Sequence, residues 1–252
     1  RALGKADTDA QSDPWVSNGG GLVGLDVPEV YSAALSEFVF AAGVKLLSSM
    51  RPDLMYLSTT DYVQHKYAPG SDGANSFYKM MDVYLGQLDA AGAIVVVVAD
   101  HGMKDKHLAN GEPDVVYLQD ALDDEFGEGQ TKVILPITDP YVVHHGALGS
   151  FATVYAAGVA VADVAKAIAK IPGIDLVLDR AEGCARFELP EDRMGDLIVL
   201  SGGPKGSKVI GSSASKHDLS GLNEPLRSHG GLTEQTIPII INRKAHGLPE
   251  NL

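Results

Sequence analysis

Two segments of the 252-residue chain combine aspartate and histidine in spacings that suit metal binding. Asp61 precedes His65 by four residues, which places both side chains on one side of a helical turn. A carboxylate oxygen and an imidazole nitrogen can then reach one ion. Asp100 and His101 are adjacent and follow a Val-rich run. Because ligands of open α/β sheets gather at the carboxyl ends of strands, this pair is also a candidate ligand set.

A third segment places His229 directly before two glycines, which permit close approach of the backbone. His217 competes with His229 for the same role. Together the three segments offer oxygen and nitrogen ligands, a set that suits zinc or another divalent first-row ion. Five ligands exceed the three that a single catalytic zinc takes from the protein. The excess indicates two metals about 3.5–4 Å apart, an arrangement used for in-line phosphoryl displacement.

Hydrophobic periodicity predicts the elements that position these ligands. Apolar residues at helical spacing predict helices at 33–50 and 71–91. A short apolar run at 54–58 predicts a buried strand before Asp61. The run of β-branched residues at 93–100 lacks alternation, which predicts a strand buried on both faces. Alternating helices and strands predict an α/β fold with a mostly parallel sheet flanked by helices.

The middle of the chain has a different pattern, which predicts an α+β cap inserted in the sheet domain. In the cap, strands are predicted at 131–137 and 150–156 and a helix at 161–171. In the following segment, strands are predicted at 196–200 and 237–242. We therefore predict an incomplete metal-binding α/β core at 1–111, a cap at 112–194 and a return to the core at 195–252.

Composition restricts the classes of partner. The net charge of −13 opposes binding to nucleic acid and to anionic membrane surfaces. An anionic substrate would need local positive charge, which metal ions supply. The single cysteine, Cys184, cannot form an internal disulfide, and we predict that it is a buried apolar residue. No apolar run of membrane-spanning length and no signal sequence are seen, so we expect a cytoplasmic protein.

The order of the three metal-ligating segments resembles that of the alkaline phosphatase superfamily. Three longer motifs narrow the resemblance to the phosphonoacetate hydrolase family. They are STTDYVQHK at 58–66, LPITDPYVVHHG at 135–146 and KHDLSGL at 216–222. The resemblance covers the chain from about residue 30 to residue 244 and implies the alkaline-phosphatase-like α/β fold.

The resemblance also implies an assignment of ligands to two zinc ions. In that family one zinc is held by an aspartate, the histidine four residues later and a distant C-terminal histidine, which match Asp61, His65 and His229. The other zinc takes the adjacent Asp-His pair, here Asp100 and His101. It also takes an aspartate and the nucleophilic threonine from an upstream segment.

The chain departs from this pattern near its beginning. Residues 1–50 contain no match for the upstream aspartate, the threonine or the substrate-binding lysines. Thr59 and Thr60 do not match the position of the nucleophile, so no catalytic residue is assigned. Since the chain begins with Arg1, we expect that an N-terminal portion is missing and that residues 1–252 alone are inactive.

The implied activity is hydrolysis of the C–P bond of phosphonoacetate to acetate and phosphate, with a phosphothreonine intermediate. The expected partner is a small anionic phosphonate, and a homodimer is the oligomer considered. His144 and His145 are assigned to the lining of the substrate site. One alternative is a phosphodiesterase or nucleotide pyrophosphatase with the same metals, although 6% aromatic residues offer little for a nucleoside slot. Another is a catalytically inactive truncated homologue.

Overall fold

Helices and strands alternate along the chain in a computed structural model that describes residues 23–29, 31–137, 147–202, 208–220 and 222–244. The chain divides into two units. The first unit consists of residues 1–98 and 238–252, and the second unit consists of residues 99–237.

The described residues form six α-helices, three 3-10 helices and ten strands. The α-helices are α1 (Ala33–Met50), α2 (Tyr62–Lys66), α3 (Asp72–Ala90), α4 (Leu118–Phe126), α5 (Val161–Ile168) and α6 (Arg180–Phe187). The 3-10 helices are Glu191–Arg193, Ala214–Lys216 and Leu232–Glu234. The strands are β1 (Val96–Val98), β2 (Lys104–Asp105), β3 (Val115–Tyr117), β4 (Thr131–Ile134), β5 (Phe151–Ala156), β6 (Ile174–Asp179), β7 (Leu197–Ser201), β8 (Val209–Gly211), β9 (Arg227–Ser228) and β10 (Ile239–Ile241).

Helices α1 and α3 of the first unit pack against each other, and both confirm the predicted helices. The Phe40 and Tyr84 rings stack with their centroids 6.4 Å apart. The Tyr84 hydroxyl donates a hydrogen bond of 3.2 Å to Glu37. The side chain of Ser71 accepts the Ala74 N–H, which caps the start of α3. The helix pair is therefore held by an aromatic contact and by a polar contact at its edge.

Helix α1 is also long and apolar enough to cross a membrane. It has 18 residues and a mean hydropathy of 1.4. Core helices of soluble proteins satisfy the same test, so one such helix is weak evidence for a membrane span. Within its unit α1 packs against α3, and 22% of the helix is buried.

Strand β1 pairs antiparallel with β10, with Val97 opposite Ile240. The prediction that this strand is buried on both faces is wrong in the described structure, since Val96 and Val98 are 54% and 55% exposed. The predicted strand at 54–58 is wrong as well, because that run forms no strand and Leu54 is 90% exposed. Burial of an apolar strand needs further layers on its faces, and the described part of this unit provides a two-stranded sheet.

The second unit contains a four-stranded antiparallel sheet in the order β4-β5-β7-β6. Strand β7 is buried along its whole length. Leu197 and Val199 join a core cluster with α4 and α5, whereas Ile198 and Leu200 pack with Cys184 of α6. Successive side chains of a strand point to opposite faces, so β7 is buried on both of its faces. Cys184 is buried as predicted.

The second unit also contains two short strand pairs. Strand β2 pairs antiparallel with β9, with Lys104 opposite Ser228. Strand β3 pairs in parallel with β8. Among the described residues, the parallel pairing that the sequence predicts is seen in β3 and β8. The other named strand pairs there are antiparallel.

The described structure adds β6 and α6, which the hydrophobic pattern did not predict. Strands β4, β5 and β6 come from the predicted cap, yet they share a sheet with β7 from the segment assigned to the core. The division into core and cap at residues 111 and 194 stays a prediction.

Candidate metal centre

The pair Asp61 and His65 lies at the start of α2 in the first unit. Asp61 is the residue that precedes the helix, and its carbonyl accepts the His65 N–H at 3.0 Å. One turn of helix therefore brings the side chains together, and His65 Nε2 lies 3.0 Å from Asp61 Oδ2. Both side chains are partly exposed. The predicted four-residue spacing thus yields a carboxylate and an imidazole that present their polar atoms side by side.

The pair Asp100 and His101 lies in the second unit, two residues after the end of β1. His101 Nδ1 is 2.9 Å from the Gly102 carbonyl oxygen, which can only accept a hydrogen bond. In the neutral ring this contact places the proton on Nδ1, so that Nε2, which lies 3.6 Å from Asp100 Oδ1, has the lone pair that a metal ion requires. Asp100 accepts the backbone N–H of His101 at 3.1 Å, and its side chain is 88% exposed. The donor atoms of this pair fit a divalent first-row ion.

His229 stacks face to face on His101, with ring centroids 3.6 Å apart and planes inclined by 11°. The two histidines come from segments 128 residues apart and from the two different ligand sets of the sequence-based assignment. The fold of the second unit thus brings one histidine of each set into contact. The distribution of the five ligands over two ions stays a prediction.

The carbonyl of His229 is held by a hydrogen bond in a closely packed site. It accepts the Ser150 N–H at 2.9 Å. A Cβ atom on Gly149 would come within 3.2 Å of the same carbonyl, so a larger residue would crowd this contact. Gly230 has a φ of +99°, a left-handed conformation that favours glycine. Of the two glycines that follow His229 in the sequence, Gly230 makes this turn, and a Cβ atom on Gly231 would lie 2.9 Å from the Ser201 carbonyl oxygen, which is the expected close approach.

Lys106 follows His101 by five residues, and its side chain is buried although lysine side chains are usually solvated. Its side chain is fully buried and lies 3.4 Å from the carboxylate of Glu234, which is 2% exposed. Burial lowers the pKa of Lys106, and the negative charge of Glu234 opposes this effect. Glu234 was missed by sequence reasoning. The sequence signal for Glu234 was its position three residues after Gly231, which is the spacing of a capping box. In the structure the Glu234 carboxylate accepts the Gly231 N–H at 2.8 Å.

His217, the competitor of His229, occupies a different environment. It is buried, and its Nε2 accepts the Ser212 N–H at 3.0 Å. Its ring packs against Tyr117 at a centroid distance of 6.2 Å. Burial, together with the charge of Lys216, lowers the pKa of His217. These contacts describe a neutral histidine that joins β8 to the segment following it.

We expect that His217→Gln flattens the pH dependence of stability on the acidic side of neutrality. The unfolded chain binds a proton near the ordinary histidine pKa of 6.5, whereas the folded chain resists protonation to lower pH. The stability contributed by neutral His217 is therefore complete above pH 6.5 and is lost as the pH falls through the lowered pKa. Thermal melting of both proteins from neutral to mildly acidic pH measures the slopes, and identical slopes would contradict this account.

Two further predicted residues, His144 and His145, lie outside the described residues, and their substrate-lining role stays a prediction. No nucleophile has been assigned among the residues of the chain.

A family model described as type I phosphodiesterase / nucleotide pyrophosphatase matches residues 24–231. The chain belongs to this family. The family is metal-dependent, which agrees with the aspartate and histidine pairs described above. Membership also confirms the resemblance to the alkaline phosphatase superfamily that the three segments predicted.

Solved structures of family members confirm the α/β fold class. Phosphonoacetate hydrolase from Sinorhizobium meliloti is 61% identical, with a TM-score of 0.86, in complexes with phosphonoformate and with phosphonoacetate. The match covers 91% of this chain and 55% of the relative. Murine ectonucleotide pyrophosphatase / phosphodiesterase 5 is 18% identical over 85% of this chain and 53% of its own length, with a TM-score of 0.52. That second likeness shows the fold alone.

A curated relative, phosphonoacetate hydrolase from Penicillium oxalicum, is 58% identical over 31 residues. These residues make up 12% of this chain and 43% of the relative. The chain thus spans about half the length of the Sinorhizobium relative and matches less than half of the Penicillium one. Both relatives confirm the narrower resemblance to phosphonoacetate hydrolases.

Proposed function

We propose that the protein carrying this chain hydrolyses the C–P bond of phosphonoacetate to give acetate and phosphate. The observation that carries the proposal is the 61% identity over 91% of the chain to a phosphonoacetate hydrolase solved with phosphonoacetate bound. The ligand class is therefore a small anionic phosphonate. The homodimer stays a prediction.

The proposed centre holds two zinc ions. Asp61, His65 and His229 are assigned to one ion, and Asp100 and His101 to the other, which takes its remaining ligands from a segment that this chain does not match. The resemblance to the family supports the assignment, as do the oxygen and nitrogen donors and the proton placement on His101. When bound, such ions stabilise charge on the phosphoryl oxygens and lower the pKa of the attacking group.

The chemistry proposed at this centre proceeds in two displacements. A threonine outside this chain attacks phosphorus, and the P–C bond breaks with its electron pair moving to carbon. The adjacent carboxylate group delocalises that pair as an enolate, which takes a proton to become acetate. Water then attacks the phosphothreonine and releases phosphate. The residues of this chain contribute the ligand set that orients the phosphoryl group for both displacements.

The local positive charge is essential in this proposal because the chain carries a net charge of −13. A phosphonate would be repelled by such a protein unless the centre itself were positive. Two divalent ions held by five ligands, of which two are carboxylates, would provide that charge locally. The acidic surface then restricts access by larger polyanions such as nucleic acid.

Substrate preference tests the proposal against a second function. The family description favours phosphodiester cleavage as the alternative. We expect the full-length protein with zinc to release phosphate from phosphonoacetate with a kcat/KM at least about 10²-fold above that for a nitrophenyl phosphodiester. Both activities should disappear with a chelator and return with zinc. The opposite preference would replace the proposal with phosphodiesterase activity, and no activity on either compound would favour an inactive homologue.

A further inference from the structure

A buried polar cluster lies behind the stacked histidines in the second unit. It consists of Lys106, Glu234 and Ser150, and is called the Lys106 cluster below. Lys106 Nζ lies 3.4 Å from Glu234 Oε1 and donates a hydrogen bond of 2.9 Å to Ser150 Oγ. All three residues are at most 2% exposed. The hydroxyl of Thr233 donates to the same carboxylate oxygen at 2.5 Å, which further satisfies the charge of Glu234.

The cluster is connected to the turn that carries His101. The Gly102 N–H donates to the backbone carbonyl of Glu234 at 2.6 Å. A Cβ atom on Gly102 would lie 3.3 Å from the Cα and carbonyl oxygen of Glu234, so the two backbones are in close contact. Since His101 Nδ1 in turn bonds the Gly102 carbonyl, the ring orientation of His101 depends on where Glu234 lies.

The same cluster is connected to the turn that carries His229 by two hydrogen bonds. The Ser150 N–H donates to the carbonyl of His229 itself at 2.9 Å. Two residues later, the Gly231 N–H donates to Glu234 Oε2 at 2.8 Å. The Lys106 side chain joins these two supports, because it contacts both Ser150 and Glu234.

We propose that Lys106 and Glu234 are positioning residues of the metal centre, whose ion pair sets the face-to-face placement of His101 and His229. Stability alone does not account for such a pair, because replacing a buried ion pair by apolar residues of similar volume is often neutral or stabilising. The connections to both histidine turns give the pair a second role. The part of this inference that concerns metal affinity rests on the proposed function, whereas the placement of the two rings does not.

The test uses the full-length protein without metal and a variant that removes both charges, Lys106→Met/Glu234→Leu. The control is Arg180→Gln/Asp196→Asn, which removes a partly exposed ion pair of 2.8 Å in the same unit whose hydrogen bonds go to Gly195 and Ala156 and not to the histidine turns. Stacking at 3.6 Å shifts the ring protons of both histidines upfield in NMR spectra. His101→Gln and His229→Gln assign these signals. We expect the upfield shift to be lost in the cluster variant and kept in the control.

A milder variant covers the case in which the first one fails to fold. In Lys106→Met/Glu234→Gln the amide oxygen can still accept the Gly231 N–H, so we expect a smaller loss of the ring shift. Ring signals that match the wild type in a folded cluster variant would overturn the proposal. So would an equal loss in the control.

Cobalt titration provides the second readout. The absorbance of bound Co²⁺ reports its affinity and its ligand geometry. We expect the affinity to fall about 10–100-fold in the cluster variant, the range typical of groups that orient metal ligands, with little change in the control. If the wild-type chain binds no Co²⁺ but the ring shifts behave as expected, the positioning role stands and the proposed metal centre fails. If the ring shifts do not change, the positioning role fails whatever the cobalt affinity.

Discussion

Replacing His229 with alanine is expected to lower kcat/KM for phosphonoacetate by about 10²–10⁴-fold in the full-length protein. A metal ion contributes several kcal/mol to phosphoryl transfer, and each 1.36 kcal/mol corresponds to a factor of ten. The variant removes an imidazole that stacks on His101, but it keeps the carbonyl that accepts the Ser150 N–H. The zinc content should therefore fall while the circular dichroism spectrum stays close to that of the wild type.

The control for this prediction is His217→Gln, because His217 is the other histidine that the sequence offers as a ligand. Its ring contacts Tyr117 and Ser212, so we expect the zinc content of this variant to be unchanged. An unchanged zinc content in His229→Ala, together with loss of zinc in His217→Gln, would transfer the ligand role to His217.

Replacing Glu234 alone with leucine is expected to destabilise the second unit by about 3–5 kcal/mol. The change leaves Lys106 buried without its countercharge, and breaking a buried pair from one side has this cost. It also removes the acceptor of the Gly231 N–H. Urea unfolding followed by circular dichroism measures the loss.

Two comparisons separate the effect of charge from that of packing. The double variant Lys106→Met/Glu234→Leu should recover most of the lost stability, because no uncompensated charge remains. Asp163→Leu breaks an ion pair with Lys166 on the surface, and we expect a much smaller effect because exposed pairs contribute little. If the double variant is as unstable as Glu234→Leu, the buried charge is not the cause.

Local sequence patterns were sufficient for several elements and for one ligand pair. The helical periodicity at 33–50 coincides with α1, and the pattern at 71–91 differs from α3 by one residue at each end. The spacing of Asp61 and His65 predicted their contact, because four residues correspond to about one helical turn. The pattern of motifs along the chain also predicted the family that the comparisons confirm.

Burial of the strands could not be read from the same patterns. The Val-rich run was predicted to be buried on both faces, yet β1 is largely exposed, while β7 is buried throughout. Both runs are continuously apolar, so local composition does not distinguish them. The difference lies in what covers them, since β7 has a neighbouring strand on each side and core clusters on both faces, whereas β1 pairs with β10.

The sequence by itself determined the candidate ligands, the family and helices α1 and α3, because these depend on residue type and on spacing within a few turns. The tertiary structure alone decided the stacking of His101 on His229 and the pairing of Lys106 with Glu234, each across 128 residues. Such contacts depend on how strands β2 and β9 align and on where Ser150 meets the His229 backbone. A sequence does not distinguish a buried lysine from an exposed one. Lys106 can be buried because the fold places the carboxylate of Glu234 beside its charge.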